Sequence, residues 1–501
     1  MLSFRREVYL DNNATTEISQ EVIKTMRYAL EKAYGNPSSL YKTSLRASTM
    51  LEEAREAAAK SINASPSEII FTGSATESNN TALKFLFENF YPGKRKIISS
   101  PIEHPAVLET LAYLENRGAE VHYLKVNRQG LIDLEELENS IDDATIAVAC
   151  MYVNNETGAI NDIKKAAALA HAKGSYFFSD CVQALGKLPV DVRELDFDYA
   201  SFSAHKINGP KGVGGLYVKQ GAPIGAFVHG GHQERGLRAG TESIHNIAGF
   251  GAACRAIPNK LGQANRLAEL KKYFIKNIRE TVPGAVINSD GLQFANNTIS
   301  VIFPGSNNER LMAALDFKGI SVSAGSACNT QENAPSHVLK AIGLTDEEAR
   351  STIRFSLNER ITIKDLDYTI RSIDEYFRGK LPSINMFKPA QLDESVIFSK
   401  DAFFLDVRYN YDRKSLKGIP NSFEASFYGI KKYLHAIPKD KNIIAICQGG
   451  VNSPFTAYYL KSKGYKNVSF LMYGLAGWRI AQPGLYEKYA GRNITKLEPK
   501  G

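Results

Sequence analysis

Ser203-Ala204-His205-Lys206-Ile207-Asn208-Gly209-Pro210-Lys211-Gly212 is the stretch on which the reading of this chain turns. It follows an apolar, aromatic, strand-like run from Phe197 to Phe202 and leads into the glycines between Gly212 and Gly215. A lysine at such a strand end faces a site rather than bulk solvent. A second hydrophobic strand, 175–179, delivers Asp180, with Gln183 one short turn further on. A lysine able to form a Schiff base and an aspartate able to pair with a pyridinium nitrogen are what pyridoxal 5'-phosphate (PLP) requires of a protein. Cys328, in Val322-Ser323-Ala324-Gly325-Ser326-Ala327-Cys328, adds a thiol and points to an enzyme that handles sulfur.

Around this stretch, from about residue 60 to 220, short β-branched strands alternate with amphipathic helices. The spacing predicts strands at 68–72, 96–99, 144–153, 175–179 and 199–202. Helices are expected at about 76–88, after His104-Pro105, and at 163–172. Such alternation implies an α/β fold with a mostly parallel sheet covered on both faces. From about 256 to 380, long charged helices (261–281 and 363–378) flank isolated strands at 298–303 and 352–356, a smaller α+β pattern. Turn residues gather at 379–385, and beyond them the α/β rhythm restarts, with strands at 403–407, 442–446 and 468–471 and a helix at 453–461. The expected division is a large domain at about 15–255 and a small domain at about 256–380 that includes the N-terminal segment. A linker over 381–391 and a third domain over 392–495 complete it.

Composition agrees with several domains, since 501 residues exceed one ordinary core of roughly 100–200. A hydrophobic fraction of 44% and a charged fraction of 23% are those of a soluble globular chain. No run approaches the roughly 18 apolar residues of a membrane span, and residues 1–7 lack a signal-peptide core. The expectation is a cytoplasmic protein with no membrane partner. The five cysteines (150, 181, 254, 328 and 447) show no metal-ligand spacing, so no metal site is expected. From residue 381 onward 18 Lys and Arg face 9 Asp and Glu, a net of +9 that leaves −1 for the first 380 residues. That is either a solvated lysine-rich surface or a module that docks acidic partners and anionic sulfur compounds. No basic run interleaved with aromatics argues for direct nucleic-acid binding.

The turn Thr72-Gly73-Ser74-Ala75-Thr76 joins a strand to a helix, so N–H groups at Ala75 and Thr76 form an anion site or, more simply, a helix cap. Beside Ser203, His205 and Lys206 it reads as a phosphate cradle. His104 precedes Pro105 at a strand end, where open α/β sheets bind ligands. Its ring would stack on a pyridine and move protons; the alternative is a structural histidine. Asn155 closes the next strand facing substrate or cofactor. Arg354, between Ile353 and Phe355, reads as a carboxylate clamp or else as an edge-strand surface arginine.

Residues 9–16, 35–39, 103–108, 153–158, 201–212 and 234–241 and the Cys328 loop, in that order, resemble cysteine desulfurases over about residues 8 to 375. The resemblance implies a fold-type I PLP enzyme working as a homodimer. It also implies that Thr76, Ser203 and His205 hold the phosphate, with Thr241 supplied across the dimer interface. Asp180 and Gln183 would bind the ring, and Asn155 and Arg354 the carboxylate of L-cysteine. Lys206 would move the Cα proton while Cys328 attacks the substrate sulfur, leaving alanine and an enzyme persulfide. The polar stretch 329–335 reads as a mobile loop that lets Cys328 visit cofactor and acceptor in turn. Cys150, Cys181 and Cys254 read as core residues.

In the last domain, Ile443-Ile444-Ala445-Ile446-Cys447-Gln448-Gly449-Gly450-Val451-Asn452-Ser453-Pro454 is a strand, a cysteine, a tight loop and a helix start. Loop N–H groups would converge on the sulfur and the helix dipole would favour its anion. With Phe404-Leu405-Asp406-Val407-Arg408, Gly418-Ile419-Pro420 and Gly474-Leu475-Ala476-Gly477-Trp478, the segment resembles a rhodanese domain. Asn452 stands where that family usually has arginine; a sulfur handed over by protein needs that arginine less. The expectation is a desulfurase whose sulfur passes from Cys328 to Cys447 and on to acceptor proteins, a cluster scaffold or tRNA-thiolation enzymes. Selenocysteine lyase activity, or a rhodanese module that only docks partners or senses redox state, are the alternatives.

Overall fold

The computed structural model describes residues 7–325, 335–381, 384–409, 412–450 and 452–498. Cys328 and most of the stretch read as a mobile loop lie outside these residues. Strand β1 (Val8–Tyr9) belongs to the small domain. The large domain is built on seven strands: β2 (Ile69–Thr72), β3 (Lys96–Ser99), β4 (Glu120–Tyr123), β5 (Thr145–Ala149), β6 (Tyr176–Asp180), β7 (Tyr199–Ser203) and β8 (Gly214–Val218). Their order is β2-β8-β7-β6-β5-β3-β4. β8 runs antiparallel to both neighbours and the remaining pairs are parallel. β2 and β5 through β8 are buried almost throughout, as strands covered on both faces must be. One core fills each face, with Phe177, Phe197 and Ala200 on one side and Phe178, Tyr199 and Leu216 on the other.

The small domain holds an antiparallel sheet of β9 (Val286–Ile287), β10 (Thr298–Ile302) and β12 (Thr352–Ser356), with β11 (Ile320–Ser321) paired to β1. The N-terminal segment packs on this sheet: Val8, Leu10 and Ile320 share a core with Ile353 and Phe355. The helix expected over 261–281 starts at Ala264 and runs to Thr281, preceded by a separate short helix, Ile257–Leu261.

The third domain is a parallel sheet of β13 (Asn385–Phe387), β14 (Ala402–Asp406), β15 (Phe423–Glu424), β16 (Asn442–Ile446), β17 (Val468–Leu471) and β18 (Thr495–Lys496), ordered β13-β17-β16-β14-β15-β18. This corrects the expected linker over 381–391. β13 pairs with β17 from Asn385↔Ser469 to Phe387↔Leu471, and Leu381 and Ile384 are buried. Edge pairing, not an internal apolar period, makes that short strand. Asp406 and Arg408 form a fully buried ion pair at 2.7 Å, and Arg408 also donates to the Leu416 carbonyl at 2.5 Å. A Cβ on Gly418 would meet both charged groups at 3.3 Å, so the Asp-Val-Arg and Gly-Ile-Pro segments are two halves of one packing unit. Among the described residues no helix is long and apolar enough to cross a membrane.

Candidate functional site

A cavity of about 260 Å³ opens at the C-terminal ends of β3, β5, β6 and β7, where an open α/β sheet places its ligands. It is lined by Ala75, Thr76, His104, Asn155, Asp180, Gln183, Ser203, His205, Lys206 and Arg354, together with Asn13, Ala14, Ser74 and Asn79. The helix Ala75–Phe90 points its N-terminus at this cavity, so free N–H groups and the positive dipole end face any bound anion. Ser74 caps that helix, its hydroxyl accepting from the Glu77 N–H at 3.3 Å. Glu77 in turn holds the Gly73 N–H at 2.8 Å and Arg238 at 2.9 Å. The Arg235-Gly236-Leu237-Arg238 segment is thus tied to the anion turn.

Lys206 donates to the carbonyls of Asn13 at 2.6 Å and Ala14 at 2.8 Å, contacts that fix its Nζ at the cavity wall. The Asp180 carboxylate is buried and doubly held: Val182 N–H donates to Oδ1 at 3.0 Å and Asn79 Nδ2 to Oδ2 at 3.1 Å. It faces the cavity, where a carboxylate suits a protonated ring nitrogen. His104 caps the helix Pro105–Glu115, its Nδ1 accepting from the Ala106 N–H at 3.1 Å. Burial lowers its pKa below the usual value, which favours the neutral ring at this cavity wall. His205 is likewise kept neutral, at about 4, by burial and then by Lys206. Arg354 is 2% exposed; it donates to the Asn155 carbonyl at 2.9 Å and to Asp11 Oδ1 at 2.8 Å. Its Nε is buried with no partner among the described residues.

Every described residue foreseen for the first site lines this cavity except Thr241, which is exposed. The sequence reading missed Asn13, Ala14, Asn79 and Lys187. Lys187 Nζ lies 3.2 Å from Asn13 Oδ1 and in short contact with Gln183 Oε1. That contact turns the Gln183 amide so that Nε2 donates to the Asn13 carbonyl at 2.9 Å. Burial, then Lys206, pushes the Lys187 amine well below its usual pKa. Asn79 follows Thr76 by one helical turn, so periodicity carried its signal; Asn13 and Ala14 meet Lys206 only through the tertiary fold.

The residues present fit PLP: an anion-binding helix start, a lysine, a buried aspartate and a neutral histidine ring share one cavity. Residues 8–369 match the aminotransferase class-V family and residues 370–481 the rhodanese-like domain. The chain belongs to the class-V aminotransferase family. Its cofactor is PLP, and its relatives lie among the cysteine desulfurases. Cysteine desulfurase IscS of Dictyoglomus turgidum (strain DSM 6724 / Z-1310) is 40% identical over 385 residues, covering 77% of this chain and 98% of the relative. Cysteine desulfurase IscS of Klebsiella pneumoniae (strain 342) is 42% identical over 391 residues, 76% of this chain and 96% of the relative. Among solved structures, a NifS-like protein superposes with a TM-score of 0.71 at 38% identity, covering 75% of this chain and all of that one. A structure described as SspA in complex with cysteine gives 0.64 at 35% identity, covering 70% of this chain and 99% of that one.

In the rhodanese-like domain, Cys447 ends β16 and is buried. Gly450 N–H points at its Sγ at 3.2 Å, and the Ser453 hydroxyl lies 3.4 Å away. Burial raises this thiol's pKa; the Ser453 hydroxyl and the N–H groups of Ser453, Asn452 and Gly450 pull it back.

The anion turn is also where the site is most easily damaged. A Cβ on Gly214 would stand 2.6 Å from the Ser74 carbonyl carbon and 2.7 Å from the Ala75 nitrogen. Backbone cannot yield as a side chain does, so Gly214→Ala is expected to displace the turn at a cost of about 1–3 kcal/mol. Absorbance titration of the apoprotein with PLP should show affinity weakened roughly tenfold or more, 1.4 kcal/mol being a factor of ten. Unchanged affinity would contradict the assignment of this turn.

Proposed function

We propose that this chain converts L-cysteine to L-alanine and carries the released sulfur from Cys328 to Cys447 for delivery to acceptor proteins. The observation that carries the reading is the single cavity in which Lys206, Asp180, His104 and Arg354 meet the N-terminus of helix Ala75–Phe90. Thr76, Ser203 and His205 would hold the phosphate, with Thr241 reaching the same group in a second copy, which makes the working form a homodimer. Asp180 keeps the ring nitrogen protonated and Gln183 presents its amide to the ring. Arg354 and Asn155 orient the substrate carboxylate, and Lys206 moves the Cα proton. PLP, once bound, supplies the electron sink that makes this proton removable.

Sulfur then leaves by attack on a side chain. The Cys328 thiolate bonds to the substrate sulfur as the Cβ–S bond breaks; the electron pair stays on carbon, which takes a proton to become alanine. The Cys447 thiolate next attacks the terminal sulfur of the Cys328 persulfide, releasing Cys328 as a thiolate. No oxidant enters either step. The N–H groups around Cys447 favour this relay over a domain that only docks. The acceptors are cytoplasmic proteins of cluster assembly or tRNA thiolation.

Peptide mass spectrometry after treatment with L-cysteine tests the relay. Wild type is expected to carry an added sulfur on Cys447, and Cys447→Ala to retain it on Cys328 while alanine formation continues for the first turnover. Wild-type protein in which Cys447 never gains mass would remove the relay.

A further inference from the structure

The Cys447 loop is not held by its own domain alone. Helix Asn452–Ser462, which starts at this loop, packs on helix Asn308–Phe317 of the small domain. Phe317 stacks on Tyr458 with ring centroids 5.8 Å apart, and Ala313 and Ala314 share one buried cluster with Tyr458, Leu460 and Cys447. A shared core of this kind fixes the loop relative to the desulfurase part of the chain.

The wall of the loop is the segment after β17. Tyr473 sits at φ +60°, a left-handed conformation that a tyrosine adopts only where its surroundings enforce it. Its backbone nitrogen lies 2.8 Å from where a Cβ on Gly450 would stand. Just beyond it, Leu475 N–H donates to the Cys447 carbonyl at 3.0 Å and Ala476 N–H to the Gln448 carbonyl at 3.0 Å. Residues 473–476 therefore set the shape of residues 447–450. The ring of Tyr473 is covered from the small domain: the Arg350 guanidinium lies over it, 4.8 Å from the centroid. Glu309 of the same domain is half-buried, close enough to this pair to feel its charge. Its carboxyl is pushed up to about 7 by burial, opposed by Arg350, and its Oε2 has no hydrogen-bond partner among the described residues. Between Cys447 and Ser453 the loop sequence has no basic residue, Asn452 included. The cation at its wall comes from the other domain.

We propose that Arg350 is a positioning residue for Cys447: by pressing on Tyr473, the desulfurase domain holds the rhodanese loop in its sulfur-receiving shape. Its importance for sulfur delivery rests on the relay above, but the contact itself is tested without the relay. In full-length, PLP-loaded protein at one fixed pH, the rate of iodoacetamide alkylation at Cys447 reports how often the buried loop opens. Arg350→Ala is expected to raise that rate several-fold, and Tyr473→Leu to do the same. The double variant should go no further than either single one, because both act through one contact. Arg350→Lys keeps the cation over the ring and should stay near wild type. Alanine release from L-cysteine in the presence of dithiothreitol should be unchanged in all of them, since Arg350 lies outside the PLP cavity. An Arg350→Ala rate equal to wild type, or additive effects in the double variant, would overturn the proposal. If alkylation responds but Cys447 never gains sulfur in wild type, the positioning role stands and the relay falls.

Discussion

Lys206→Ala is expected to lower the rate of alanine formation from L-cysteine by about 10³-fold or more, within or beyond the 10²–10⁴ that a positioned proton-transfer group supplies. Two independent features make the loss large. The amine is placed at the cavity wall by the carbonyls of Asn13 and Ala14, so no solvent base takes its geometry. The other amine nearby, Lys187, is occupied by Gln183 and Asn13 and cannot reach out without breaking both contacts. PLP should still bind to the variant, because the phosphate cradle at Ala75 and Thr76 and the Asp180 carboxylate are untouched. Stopped-flow absorbance would therefore show binding without turnover. A variant retaining a tenth of wild-type activity would remove Lys206 from the reaction.

Cys328→Ser is expected to lose alanine formation by about 10²-fold or more while L-cysteine still perturbs the cofactor spectrum. The other thiols of the first two domains cannot take over. Cys150, Cys181 and Cys254 are buried, and burial raises each pKa, to about 12 for Cys254. At pH 7 that leaves roughly one thiolate in 10⁵ at Cys254, and the thiolate is the nucleophile. Cys447 is also buried and its thiol pKa raised by that burial, so it is not expected to replace Cys328 as the first nucleophile. Measuring alanine together with the mass of the Cys328 and Cys447 peptides separates the roles. Persulfide appearing on Cys447 of the Cys328→Ser variant at the wild-type rate would contradict the order proposed.

The site was legible wherever chemistry coincided with a strand end. Asp180 and Ser203 end β6 and β7, His104 caps the next helix after β3, and Thr76 opens the helix after β2; each is marked locally by its neighbours. Arg354 was legible as an inward-facing strand residue, but its occupation by Asp11 and the Asn155 carbonyl was not. Those contacts join positions more than 190 residues apart, and nothing local in the sequence encodes them. Lys187 was missed for a different reason: a lysine after a glycine reads as surface, and only burial beside Gln183 makes it part of the site. The linker expected before residue 392 failed because β13 is three residues long and is defined by its partner β17 rather than by any period of its own.

The most direct test of the account is which lysine carries the cofactor. The PLP-loaded protein is reduced with borohydride, digested and mapped by mass spectrometry, so that the carbon–nitrogen bond to the aldehyde is fixed where it formed. The phosphopyridoxyl mass is predicted on the peptide containing Lys206 and on no other. Its appearance on Lys187, or its absence from both peptides in protein that binds PLP stoichiometrically, would contradict the account.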